Sequence, residues 1–170
     1  YGALTAGVTL SLIVSIFGYV SGAHVNPAVT IALWTLRKIQ TTNAIVYIGA
    51  QILGAATALL FFNYATGVSL AAADLGSFSW TIFWVEAVGA ALFGMGIAAA
   101  VAQKLEGYHA AFTIGLSLTL GSMVASTASA GFLNPAVALA NNSWSSTLAI
   151  APIVGMVIGM QVYMALVAPS

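Results

Sequence analysis

Residues 1–36, 39–73 and 107–170 contain no Asp, Glu, Lys or Arg. A chain so starved of charge cannot build a soluble surface. Soluble domains carry about a quarter charged residues; this chain carries 4%, alongside 61% hydrophobic residues and a mean hydropathy of +1.06. The lipid bilayer is therefore the expected solvent for most of it. Net charge is zero and there is no cysteine. Nothing points to nucleic acid, to a basic membrane-surface mode or to disulfide or thiol chemistry. No short apolar segment with a cleavage-like flank suggests a signal peptide.

A spanning helix needs roughly 20 mostly apolar residues. Five stretches qualify: 1–20, 43–65, 79–102, 109–128 and 147–168. Two shorter segments, 26–36 and 134–142, are too short to cross, and each opens with Asn-Pro-Ala-Val. The three basic residues, Arg37, Lys38 and Lys104, fall on one side of five alternating spans. That side is expected to be cytoplasmic, with the loop around Asp74 outside.

The two short segments belong to an internal repeat. Asn26 and Asn134 are 108 residues apart (134 − 26 = 108), and sliding the chain by that amount aligns residues 1–29 with 109–137 without a gap. Ala3 meets Ala111, Thr5 meets Thr113, Gly7 meets Gly115, Leu10 meets Leu118, Leu12 meets Leu120 and Ser21 meets Ser129. An odd number of crossings separates the copies, so the repeat is inverted and places a functional site at the midplane. The expected halves are residues 1–65 and 79–170, joined by an outer loop, 66–78. The second half begins with its own leading span, 79–102. Its first-half counterpart is expected upstream of Tyr1.

Pro at the first helical position gives up only an N–H that would be unpaired anyway, and Asn before it caps the helix. Each Asn-Pro-Ala-Val is thus the start of a half-helix. Non-helical backbone at membrane depth is tolerated only when buried in protein or lining a wet cavity. Two half-helices entering from opposite faces bring their N-termini together. Asn26 and Asn134 then offer donors at the midplane. The carbonyls of Gly22, Ala23, His24 and Val25, and of Ala130, Gly131, Phe132 and Leu133, form a ladder of acceptors. Such a line suits a neutral hydrogen-bonding molecule and opposes cations and proton relays.

The pair of segments, the order of the spans and Glu86 in "WVEAVGAALFG" resemble the aquaporin (major intrinsic protein) family over essentially the entire chain, less that family's first helix. The resemblance implies an all-α membrane fold of six spanning helices and two re-entrant half-helices, five of the six being visible here. It implies homotetramers with one pore per subunit, and no cofactor. It also implies that Asn26 and Asn134 donate to the solute while the eight preceding backbone positions line the pore. By spacing from the motifs it places an outer filter at Ala6, Ser122, Gly131 and Val137. Val137 departs from the family, whose members usually carry Arg there. The implied filter is wide and uncharged.

Each residue also has a plainer reading. Asn26 and Asn134 are sufficient as helix caps, although their matched inverted context favours the pore. His24 reads equally as a packing histidine or a pore-lining one. Glu86 reads foremost as a structural anchor accepting backbone N–H groups near a half-helix, with a solute or proton site as the alternative. Gly7, Gly49, Gly54, Gly89, Gly115 and Gly159 read as close helix crossings, and Gln51 as an interhelical hydrogen bond. No nucleophile–base pair or metal cluster suggests an enzyme. Two functions remain: a passive channel for water and small uncharged solutes such as glycerol, or a structural or accessory membrane protein of the same fold, one able to associate with other membrane proteins.

Overall fold

The computed structural model describes residues 1–71 and 78–168. Asp74 and the middle of the 66–78 loop lie outside them. Seven helices follow in order: α1 Gly2–Ser21, α2 Pro27–Thr35, α3 Thr41–Thr66, α4 Trp80–Ala102, α5 Gly107–Ala125, α6 Pro135–Ala140 and α7 Ser146–Leu166. Five of these are long and apolar enough to cross a membrane. At ~1.5 Å rise per residue, the 20 residues of α1 reach about 30 Å, the thickness of a hydrocarbon core. The short helices are those that begin at Asn-Pro. The fold is all-helical among the described residues, with the expected five spans and two re-entrant half-helices.

The largest difference in boundary is at α5, expected over 109–128 and found over Gly107–Ala125. Past Ala125 the backbone tightens into turns, with Thr127 N–H donating to Val124 O and Ala128 N–H to Ala125 O. The chain leaves the helix early because Ser129 must reach Glu86, described below.

With lipid as solvent, apolar side chains gain little by facing one another, so helices pack through close backbone approach at small residues. α1 and α5 cross at Gly7 and Gly115. A Cβ on Gly7 would overlap Gly115 O and Thr119 Oγ1; one on Gly115 would overlap Gly7 O and Ser11 Oγ. The pairs Gly7/Gly115 and Ser11/Thr119 share the 108-residue offset, so the pseudo-two-fold axis of the inverted repeat runs through this crossing. On the far side of α1, Leu4, Val8, Leu12 and Ile16 form an exposed apolar stripe at four-residue spacing.

α7 closes on α4 in the same manner. Gly155 lies against the Ala87 backbone and Gly159 against that of Ala91. The first-half counterpart of this stretch of α7 is visible in sequence: "AQILG", 50–54, beside "APIVG", 151–155. There the halves differ. α3 packs on the short helices α2 and α6, and nothing lies within 4 Å of a Cβ placed on Gly49 or Gly54. The expected crossings therefore exist at Gly7, Gly89, Gly115 and Gly159, and not at Gly49 or Gly54. Much of the α3 surface, both glycines included, is exposed and open among the described residues.

These contacts set an expectation for substitution. Gly155→Val puts a branched side chain onto the Ala87 carbonyl and should cost several kcal/mol, beyond the ~1–3 kcal/mol usual for overpacking. Gly18→Ala meets only Val14 Cγ1 at 3.5 Å, and should stay within about 1 kcal/mol of the parent. Thermal unfolding in mild detergent compares them; equal melting temperatures for the two variants would contradict the close α4–α7 approach.

Candidate functional site

Both re-entrant segments adopt one backbone conformation. Ala23 (φ 47°) and Val25 (φ 43°) in the first match Gly131 (φ 67°) and Leu133 (φ 51°) in the second, again at the 108-residue offset. Positive φ suits glycine and strains a β-branched residue such as Val25. Each such residue costs on the order of 1–3 kcal/mol and persists only where surroundings over-determine it.

The asparagines supply that determination. Asn26 Nδ2 donates to Leu133 O at 2.9 Å, and Asn134 Nδ2 donates to Val25 O at 3.0 Å. Each half-helix cap thus holds the strained carbonyl of the opposite segment. At the same time Asn26 Oδ1 accepts from Ala28 N at 2.8 Å, and Asn134 Oδ1 accepts from Ala136 N at 2.9 Å and Val137 N at 3.4 Å. Capping its own helix and donating across the axis are not competing roles for either asparagine. An amide has two N–H donors; one is spent across the axis, and one remains on each asparagine. Both residues are buried, at 2% and 8% exposure. Without the cross bonds, carbonyls at membrane depth would go unpaired, at several kcal/mol each. That penalty exceeds the ~0.5–1.5 kcal/mol net value of an ordinary hydrogen bond, so avoidance of unpaired carbonyls dominates.

Glu86, fully buried on α4, anchors the second segment. Its carboxyl group accepts from Ser129 Oγ at 2.5 Å, Phe132 N at 3.1 Å and Leu133 N at 2.8 Å. Three donors on two oxygens offset the cost of removing the acid from water. In the first segment the corresponding N–H groups, of His24 and Val25, find no acceptor among the described residues.

His24 is held by its neighbours and also borders the central cavity. Its Nδ1 lies 3.1 Å from Thr30 Oγ1, and its ring packs 4.8 Å from that of Tyr47. Thr30 Oγ1 donates to Asn26 O at 3.2 Å and accepts from Gln51 Nε2 at 3.0 Å. The hydroxyl thus ties together His24, Gln51 and the Asn26 carbonyl. Gln51 makes the expected interhelical bond, and its buried Oε1 has no partner among the described residues.

A cavity of about 870 Å³ runs along this centre. Asn26 and Asn134 border it, as do His24, Val25, Ala130, Gly131 and Phe132. Gly22, Ala23 and Leu133 do not line it: Ala23 and Leu133 are buried behind it, at 6% and 0% exposure, while Gly22 terminates α1 in the left-handed conformation. Ala6, Ser122, Gly131 and Val137, drawn from four separate segments, all border the same space. So do Thr9, Phe93 and Ser126, which sequence reasoning did not single out. Thr9 sits one turn from Ala6, and Ser126 one turn from Ser122, so helical spacing from the filter positions was the signal available. Ser129, the hydroxyl on Glu86, appeared only as a repeat identity with Ser21. In the first half Ser21 Oγ instead accepts from Ala23 N at 3.3 Å.

Residues 2–163 match the family model described as major intrinsic protein; the chain belongs to that family. It is an integral, multi-pass membrane protein. It is 31% identical to aquaporin AqpM of Methanothermobacter thermautotrophicus, the alignment covering 94% of this chain and 74% of that one. It is 36% identical to glycerol uptake facilitator protein-like 6 of Lactiplantibacillus plantarum, over 78% of this chain and 65% of that protein. Its fold is similar to the X-ray structure of the aquaglyceroporin from Plasmodium falciparum, with a TM-score of 0.76 and 22% identity over 98% of this chain and 82% of that one.

The reciprocal bonds predict coupling. Asn26→Ala and Asn134→Ala should each destabilise by about 1–3 kcal/mol. The double variant should fall short of their sum by at least ~0.5 kcal/mol, because both amides tie the same two loops. A double-mutant cycle on detergent unfolding measures this, and strict additivity would show that the loops are held independently.

Proposed function

We propose that the protein is a passive transmembrane channel for water and small uncharged solutes of glycerol size, with a wide, uncharged outer filter. One observation carries the reading: a single cavity is bordered at once by both asparagines and by Ala6, Ser122, Gly131 and Val137. Its wall is amphipathic. Ala6, Leu10, Ile13, Phe93, Leu118 and Val137 supply carbon surface; the asparagine amides and re-entrant backbone supply polar groups. A small polyol presents the same two kinds of surface. The α2 and α6 N-termini meet at the midplane and disfavour cations there. That relatives of this chain are named an aquaporin and a glycerol uptake facilitator supports the same reading.

In this reading Asn26 and Asn134 donate their remaining N–H to the passing solute, and Glu86 holds the second loop in register. Val137 leaves open the space a guanidinium would occupy. The basic residues Arg37, Lys38 and Lys104 mark the cytoplasmic side, and the unit is a homotetramer with one pore per subunit. The open face of α3 favours a second reading, an accessory membrane protein of this fold with little conduction.

Reconstituted protein in an osmotic-shock light-scattering assay separates the two. Vesicles should shrink faster than empty controls and then re-swell as glycerol enters; rates equal to the controls would leave the accessory reading. Val137→Arg should lower glycerol flux at least several-fold more than water flux. Equal effects on both would remove Val137 from the constriction.

A further inference from the structure

Hydroxyl groups on membrane helices ordinarily satisfy themselves by donating to a carbonyl one turn back. Ser11, Ser15, Ser117 and Thr119 do this, donating to Gly7 O, Ser11 O, Thr113 O and Gly115 O. Ser122 on the last turn of α5 and Ser126, its C-cap, do not. Their hydroxyls make no hydrogen bond among the described residues, and both border the central cavity. Thr9, on the facing helix α1, behaves likewise.

The placement of Ser126 depends on Gly131. A Cβ at residue 131 would come within 2.5 Å of Ser126 Oγ and 2.6 Å of Ser122 O. The missing side chain at Gly131 therefore leaves room for this hydroxyl in the cavity wall. Four residues of helix separate the two serines by about 6 Å along the axis.

We propose that Ser122 and Ser126 form a hydroxyl track in the outer half of the cavity that selects solutes carrying several hydroxyl groups, with Ser126 a specificity residue beyond the filter positions. The inference rests on the channel reading above. Its chemistry differs from that of a guanidinium, which can only donate. A serine hydroxyl rotates to donate or to accept, and each hydroxyl of a polyol needs both. Ala6 and Val137 add carbon surface to the same space. A linear polyol can thus exchange water for serine one hydroxyl at a time while its carbon edge meets the apolar side chains. Urea, whose donors and acceptor are fixed on separate atoms, gains less.

The test is the ratio of glycerol, erythritol and urea permeability to water permeability in proteoliposomes. It compares the parent with Ser126→Ala, Ser122→Ala and Ser126→Thr. Each alanine variant should lower the glycerol-to-water ratio about two- to tenfold, the factor one net hydrogen bond is worth. Erythritol should be affected at least as strongly, urea little, and Ser126→Thr should keep the parental ratio. Unchanged polyol ratios in both alanine variants, with the parent conducting glycerol, would overturn the track and leave the channel reading standing. A parent that conducts no glycerol above empty vesicles would overturn both.

Discussion

The structure depends on two hydrogen bonds that cross its pseudo-two-fold axis, Asn26 to Leu133 O and Asn134 to Val25 O. Hydrocarbon does not tolerate unpaired backbone, yet each half of this chain unwinds at membrane depth. Each half meets the other's unpaired carbonyl with the same side chain that caps its own helix. The strain at Val25 and Leu133 is maintained because relaxing it would abandon a carbonyl. Neither re-entrant segment is complete without the other, which is why the motif occurs twice.

Everything else brings these two loops to the same place. The Gly7–Gly115 crossing sets the axis, and the Gly155 and Gly159 contacts lock α7 to α4. Glu86 on α4 then fixes the backbone of residues 132 and 133. Glycine contacts govern the helix positions, and a buried acid governs the loop. The residues that keep unspent polar groups, the two asparagines and the serines Ser122 and Ser126, border a common cavity. A cavity lined by leftovers of structural bonding fits the proposed passage of neutral solutes, since no Asp, Glu, Lys or Arg lines its wall.

Much of this was legible in the sequence because membrane folding has few solutions. Absence of charge marked the spans, and Asn-Pro-Ala-Val marked the half-helix starts. The 108-residue offset predicted an inverted pairing whose conformational match at Ala23/Gly131 and Val25/Leu133 is now visible. The reciprocity of the amide bonds was not legible, since a cap and a cross-axis donor have the same sequence signature. Nor was it clear which backbone positions would border the cavity. Positions of matched conformation differ here: Val25 and Gly131 border the cavity while their repeat partners Leu133 and Ala23 do not, and spacing alone does not report which member of a pair is covered. Gly49 and Gly54 resembled crossing glycines because composition cannot tell a packed helix face from an open one. Ser129 was hidden by its repeat partner, Ser21, which keeps the residue type and changes the bond.

The central claim is that the two clamped loops leave a continuous polar path through the bilayer. Its most direct test is the temperature dependence of osmotic water flow in proteoliposomes of the full chain. A continuous path predicts a shallow slope, close to that of water moving through water, superimposed on the steep slope of the lipid. A slope as steep as that of protein-free vesicles at every temperature would mean that water crosses only through lipid, and would contradict the account.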